Sequence, residues 1–457
     1  MNTETTPLPP WAAPHRLPPI RLRDGDGTLP EDDVRELIAI LAKPRGRHRK
    51  LTKLRERCDP RSLGDFAWAL FEAGGQGEKR WTLTALGTLG DDGVVRRLGP
   101  VIASWPSNLF QRAGLALEML ARIGTDLALL HVSTHARRGR TAGRRKRAQR
   151  LLDKAAAERG LTVEQLADRL VPDLGLDATG SMVLDYGPRR FTVGFDEQLR
   201  PFVLDGAGKL RKALPKPGVK DDAKLAPAAY QAFSALKKDV RKLAGEQIER
   251  LETAMACRRR WTIEEFSDLF VAHPLLWHVV RRLVWLDETA GTAFRVAEDR
   301  TFADVDDAVF VPGDSARIGI AHPLDLGDPA PWSEVFADYE ILQPFPQLGR
   351  SVHALTEEER STGQVTRFEK LPFPGGRVRA MERRGWTLGA PADAGIQSDL
   401  TRGPVTVWLD PGLVVWGDPG ETQTLHEVTI GSRARDLDPV TASEILRDLT
   451  ELTAPSD

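Results

Sequence analysis

The chain has 457 residues, 41% hydrophobic and 28% charged, with a net charge of −1 at pH 7. That length supports several domains with their own cores, and the apolar runs fall far short of the roughly 20 residues of a membrane-spanning helix, so no membrane partner is predicted. Two cysteines, Cys58 and Cys257, exclude a disulfide scaffold and a cysteine-rich zinc module, and with no signal-peptide pattern they point to a reducing cytoplasm.

The near-zero net charge conceals a split. From Asp287 onward there are 30 acidic and 15 basic residues, against 35 acidic and 49 basic before it. A chain polarised in this way can bind a polyanion or an acidic protein with one half, or pack its basic half against its acidic half.

Pro7, Pro9, Pro10, Pro14, Pro18, Pro19 and Pro30 make a regular helix improbable over residues 1–30, because proline lacks an N–H and clashes with the preceding turn. This segment reads as a tail or strap, with Trp11 and Ile20 as anchors. Helical periodicity follows: Leu63, Phe66, Ala67, Leu70 and Phe71 fall on one face, and Leu109, Ala113, Ala116, Leu117 and Leu120 on another. The stretches Leu86–Asp92 and Leu120–Asp126 resemble each other at an offset of 34 residues, each followed by an apolar segment. Such a period marks stacked helix pairs, so a HEAT-like stack is predicted, with a non-repeating bundle as the alternative.

The pattern changes near Gly180. Met182–Leu184, Phe191–Val193 and Pro201–Leu204 are short apolar runs bounded by turn residues, the signature of an antiparallel meander. A long helix is then predicted with Pro227 in its first turn, carrying Ala229, Phe233, Leu236, Val240 and Leu243 on one stripe, continued by Ile248, Leu251 and Met255. Thr262-x-x-Glu265 predicts a capping box. Strands are expected at Val309–Val311, Ile318–Ile320, Val405–Trp408 and Leu413–Trp416, with Asp410-Pro411-Gly412 turning between the last two. A capping box at Thr441-x-x-Glu444 predicts a final helix ending near Leu452. The expected fold is an α+β multidomain chain. It comprises a proline-rich tail (1–30), a HEAT-like helical repeat domain (31–175), a β-meander with long helices (176–286) and an acidic α+β domain (287–457).

From about Leu214 the chain resembles an uncharacterised bacterial domain family of molybdate-metabolism-regulator-like (MolR-like) proteins. The resemblance is carried by Leu214-Pro215-Lys216-Pro217-Gly218, Arg259-Arg260-Trp261, His273-Pro274-Leu275-Leu276, Arg282-Leu283-Val284-Trp285, Phe294–Asp299, Ala321-His322-Pro323-Leu324 and Gln343–Leu348. It implies a bacterial cytoplasmic protein preceded by helical repeats, and brings no catalytic residues. Some members carry a WGR module; here Trp416-Gly417-Asp418 has Asp where Arg belongs, which removes that support.

The strongest functional feature is the basic run Arg137, Arg138, Arg140, Arg144, Arg145, Lys146, Arg147 and Arg150, with no acidic residue between Asp126 and Asp153. Arginine pairs with phosphate or carboxylate bidentately, so this run is the candidate site for nucleic acid or an acidic partner; a solvated helix face is the plain alternative. A second cluster comprises Lys43, Arg45, Arg47, Arg49, Lys50, Lys53, Arg55 and Arg57. Few aromatics interleave with either, so base stacking is not indicated.

His131 and His135 sit at i, i+4 but lack the glutamate of H-E-x-x-H and a third ligand, so no metal site is expected. Gly206-Ala207-Gly208-Lys209-Leu210 reads as a hairpin turn rather than a phosphate loop, and Asp304, Asp306 and Asp307 as a solvated turn. His273 and His322 precede prolines and read as caps or turn residues. No cofactor is called for.

No catalytic set is apparent in the sequence, so an enzyme is not the first expectation. A protein-interaction or regulatory protein with a helical-repeat platform and a protein partner is expected. The alternatives are a nucleic-acid-associated protein using the arginine clusters, and an enzyme of unrecognised type in 176–457 with His273, His322 or Glu298/Asp299 in its site.

Overall fold

The computed structural model describes residues 8–25, 27–43, 48–139, 141–392, 395–414, 417–418, 420–431 and 436–455, the side chains of His48, Arg138 and Arg383 excepted. The chain is mixed α and β and divides into two compact units, Met1–Pro172 and Asp173–Asp457.

The first unit opens with the proline-rich segment, which makes only 3₁₀ turns at Pro10–Ala12 and Pro14–Arg16. It is a strap. Ala12, Leu17, Ile20 and Leu29 are buried in the helical core, and Trp11 stacks on Trp81 with ring centroids 5.6 Å apart. Nine helices follow among the described residues: α1 (Glu31–Ala42), α2 (His48–Arg57), α3 (Pro60–Ala73), α4 (Arg80–Leu89), α5 (Asp92–Ser104), α6 (Phe110–Ile123), α7 (Asp126–Arg138), α8 (Ala142–Ala157) and α9 (Val163–Arg169). Side-chain caps set several starts: Asp59 accepts the Ser62 N–H at 2.8 Å, Asp91 that of Val94 at 3.1 Å, and Thr125 that of Ala128 at 3.3 Å.

The two similar segments occupy equivalent junctions, α4 to α5 and α6 to α7. Gly90 and Gly124 end the first helix of each pair, and Asp91 and Thr125 cap the second. Alternate helices pack together, α3 on α5 and α5 on α7 in one layer, α4 on α6 and α6 on α8 in the other. Glycine permits the close approach: a Cβ on Gly87 would meet the Met119 Sδ at 2.5 Å and the Met119 Cα at 3.1 Å.

The second unit begins with an antiparallel meander in sequence order, β1 (Met182–Asp185), β2 (Arg190–Phe195), β3 (Pro201–Asp205) and β4 (Leu210–Arg211). Helix α10 (Leu225–Ala256) starts two residues before Pro227. After it come β5 (Trp261–Thr262), α11 (Ile263–Phe266), one π turn at Ser267–Val271 and α12 (Trp277–Val280). Thr262 and Glu265 form the reciprocal capping box, at 3.1 and 3.3 Å. Strands β6 (Trp285–Asp287), β7 (Thr292–Val296), β8 (Phe302–Ala303), β9 (Val309–Phe310) and β10 (Arg317–Ile320) join β5 in the order β5-β10-β6-β7-β8-β9. The boundary expected between 286 and 287 falls inside β6. Trp261, Phe266, Trp285 and Phe294 pack beneath this sheet, fully buried.

Next are α13 (Pro323–Leu326), α14 (Ala330–Asp338), α15 (Glu357–Thr362), β11 (Pro372–Pro374), α16 (Val378–Met381) and β12 (Thr387–Leu388). Strands β13 (Ile396–Arg402), β14 (Val405–Val414) and β15 (Thr422–Ile430) complete a sheet ordered β11-β15-β14-β13-β12, and α17 (Pro439–Thr453) packs against it. Two local expectations are corrected. Asp410-Pro411-Gly412 is no turn between strands: β14 runs through it, a register shift against β15 at Trp408/Leu409 takes up the irregularity, and the Gly412 N–H donates to Gln423 at 2.9 Å. Val415 and Trp416 lie outside the described residues. The N-cap of α17 is Asp438, which accepts the Thr441 N–H at 2.8 Å, and so Glu444 has another role.

Candidate functional site

The eight basic residues of the expected site fall on α7, α8 and the connection between them. Thr141 caps α8 by accepting the Arg144 N–H at 3.2 Å, and the helical period then turns the run in different directions. Arg144 is buried, Arg147 pairs with Glu118 of α6 at 2.6 Å, and Arg145 donates to the Gly139 carbonyl at 3.2 Å. Arg137, Lys146 and Arg150 are exposed; Arg140 and the Arg138 side chain lie outside the described residues. In the second cluster, Lys50 pairs with Glu36 at 2.6 Å and Arg57 with Asp33 at 3.4 Å. Arg49, Lys53 and Arg55 are exposed on α2 with no ion-pair partner among the described residues, and Arg45 and Arg47 lie outside them. The clusters occupy different parts of the unit, α2 packing on α1 and α8 on α6 and α7.

The histidines and acids of the enzyme alternative do not converge. His273 Nδ1 accepts the Leu275 and Leu276 N–H groups at 3.1 and 3.2 Å, a cap. Glu298 accepts from Arg281 at 3.0 Å, and Asp299 binds Thr301 within a turn. His322 caps α13, its Nδ1 accepting the Leu324 N–H at 3.2 Å. His131 lies against Gly99 of α5, and among the described residues no group of three or more His, Cys, Asp or Glu side chains is placed to hold a metal ion.

What the structure does assemble is a buried ion cluster that sequence reading missed. Helix α10 presents Glu249, Glu252, Thr253 and Ala256, and α17 presents Glu444, Arg447, Asp448 and Glu451, each set at i, i+3, i+4, i+7 and so on one helix face. These faces flank a cavity of about 170 Å³ that Arg350, Arg384 and Arg402 also line. The Glu444 side chain is 2% exposed and receives a bidentate pair from Arg350, at 2.6 and 2.7 Å. His322 Nε2 lies 3.3 Å away; with Nδ1 engaged as an acceptor, Nε2 carries the proton toward Glu444. Arg350 also reaches Glu252 at 2.8 Å. Asp448 accepts from Arg384 at 2.9 Å, from Trp386 Nε1 at 2.8 Å, and from Arg402.

Burial pushes the Glu444 carboxyl up, but the hydrogen bonds from Arg350 and then His322, with the charges of Arg350 and Arg447, outweigh it and hold the group far below the usual carboxylate range. Glu444 therefore stays ionised, the guanidiniums are fixed donors, and His322 offers no open lone pair. The cluster can clamp helices or bind a polar group.

A second buried site surrounds His278, which is 6% exposed. Burial, then the charges of Arg281, Arg282 and Arg300, push its pKa down to about 4, so the ring is neutral at pH 7. Arg281 and Arg300 both lie 5.0 Å from the Trp277 ring, and Arg281 pairs with Glu197 and Glu298 at 3.0 Å each. A cavity of about 600 Å³ beside α14 has Glu340 as the sole ionisable side chain among the described residues that line it.

Comparison with known proteins adds relatives without an assigned role. No solved structure matches the chain. The uncharacterized protein YehI of Escherichia coli (strain K12) is 37% identical over 353 residues, 74% of this chain and 29% of that protein, so the chain spans less than a third of its relative's length. Residues 208–386, from the β3–β4 turn through Trp386 of the ion cluster, are similar to the family described as Domain of unknown function (DUF4132).

Proposed function

We propose that this chain is a non-enzymatic protein-interaction or regulatory protein of the bacterial cytoplasm, with a HEAT-like platform formed by α3 to α8 and extended through α1 by the cationic helix α2, and a MolR-like second unit. The observation that carries this reading is the packing of alternate helices into two layers, with equivalent junctions at Gly90-Asp91 and Gly124-Thr125. Stacked helix pairs present extended binding surfaces. The engagement of ionisable groups with one another in the ion cluster further supports binding over catalysis.

Affinity purification of the full chain from its native cells, followed by light scattering, tests this. A stoichiometric protein partner is expected, lost when R49E, K53E and R55E are combined. A chain that elutes alone under all conditions overturns the reading. Nucleic acid is the second reading, favoured by those same exposed cations of α2. It requires binding to duplex DNA or single-stranded RNA that weakens steeply between about 50 and 200 mM salt.

A further inference from the structure

Residues 209–242 carry ten Lys and Arg against three Asp, a density that falls outside both arginine clusters named above. On α10, Lys237, Lys238, Arg241 and Lys242 are all exposed and lie on one face, while Phe233, Leu236 and Val240 face the core. None of these four cations has an ion-pair partner among the described residues. Across from them, Lys212 and Lys216 follow the edge strand β4, which pairs with β3 alone in its sheet. Between strand and helix lies a cavity of about 180 Å³. Its walls include Val203, Leu214, Tyr230 and Phe233, with Arg211 and Lys237 among its charged lining residues. The Lys237 ammonium sits 4.9 Å from the centre of the Phe233 ring.

Leu214-Pro215-Lys216-Pro217-Gly218 is held in place here. The Tyr186 hydroxyl donates to the Pro215 carbonyl at 2.9 Å, and Asp221 accepts the Gly218 N–H at 2.7 Å while binding Arg189 at 2.8 Å. Proline leaves few conformations to lose, so the wall of the cavity is set before anything binds.

We propose that this surface docks an extended acidic peptide segment of a protein partner, with one apolar side chain in the cavity and carboxylates on the α10 cations. Three features select that occupant. The open edge of β4 offers backbone groups to an added strand, and the cavity accepts a side chain of Leu or Phe size. Cations at i, i+4 on a helix are about 6 Å apart along its axis, close to the roughly 6.7 Å between alternate residues of a strand. A partner alternating acidic residues along one face therefore matches the row. Lysine-rich surfaces also attract phosphates, but Phe233 is buried and Tyr230 is the single half-buried ring among the described residues that line the cavity, too few for a run of stacked bases, which sets nucleic acid second. The inference rests on the partner-binding reading above, yet uses the second unit and not the helical stack.

The test uses fluorescence anisotropy with the full chain and a labelled peptide in which Glu-Ser repeats flank a central Phe. Companion probes carry Phe replaced by Ala or all Glu by Gln, and (dT)12 serves as a polyphosphate. The Phe peptide is expected to bind about tenfold tighter than either companion peptide and tighter than (dT)12. K237E/R241E, at exposed positions, should weaken it by tenfold or more, and so should A213W, which adds bulk to the cavity wall without removing a charge. R49E/K53E/R55E on α2 should leave it unchanged, which separates failure here from failure of the platform reading. Equal binding of the Phe and Ala peptides, preference for (dT)12, or no effect of K237E/R241E would each overturn the proposal. Absence of peptide binding would overturn it as well.

Discussion

His278 shows how one side chain couples fold stability to pH. Its pKa is about 4 in the folded chain, lowered first by burial and then by Arg281, Arg282 and Arg300, whereas an unfolded histidine titrates near 6.5. Between those values the unfolded chain binds a proton that the folded chain refuses, so stability falls as pH drops from about 6.5 to about 4 and is insensitive to this group above that window. The full span corresponds to about 3 kcal/mol. Urea unfolding of the second unit at pH 7, 6 and 5 should show the loss, and H278Q should flatten it relative to the parent. Parallel curves for the two proteins would remove His278 as the cause. The sequence carries part of this, since Arg281 and Arg282 follow His278 at i+3 and i+4, but the burial of the ring and the approach of Arg300 come only with the fold.

At the scale of elements, amphipathic periodicity was legible and partners were not. The stripe Leu63, Phe66, Ala67, Leu70 and Phe71 is buried throughout, because a helix of that period has one face to hide. The run from Arg137 to Arg150 reads in sequence as one basic surface, yet a helix cannot aim consecutive residues the same way: Arg144 is buried and Arg147 turns toward Glu118 of α6. The ion cluster was invisible for a different reason: Glu252, His322, Arg350, Arg384, Arg402 and Glu444 are spread over nearly 200 positions. The available signal was a polar i, i+3, i+4, i+7 face at Glu444, Arg447, Asp448 and Glu451 on a helix already apolar on its other side. The helical stack itself makes a sharper prediction. Gly87 costs α4 up to about 1 kcal/mol of helix propensity relative to alanine, so in isolation replacing it would stabilise the helix. In the stack a side chain there meets the Met119 backbone and sulfur, and G87V should destabilise the first unit by about 1–3 kcal/mol. A raised melting temperature for G87V would mean that α4 and α6 are not packed this closely.

At the scale of the whole molecule, the hydrophobic core of the first unit contains only residues between Ala12 and Leu170, and a separate core runs from Leu355 to Leu452 within the second. Cores that share no residue predict two cooperative unfolding transitions, and the fragments 1–172 and 173–457 should each fold alone. The ion cluster locates the second transition. Arg350 ties Glu252 of α10 to Glu444 of α17, so it links the region that follows the meander to the C-terminal helix. R350M removes the guanidinium but keeps much of its apolar stem, leaving Glu444, 2% exposed in the parent, with His322 and Arg447 as its partners among the described residues. Breaking one side of such a buried pair costs about 3–5 kcal/mol. The transition of the second unit should therefore move to lower urea by that amount while the first stays where it is, as followed by circular dichroism and by tryptophan emission on the full chain and on each fragment. If R350M shifts both transitions together, the units are not independent; if it shifts neither, the cluster contributes specificity of packing rather than stability.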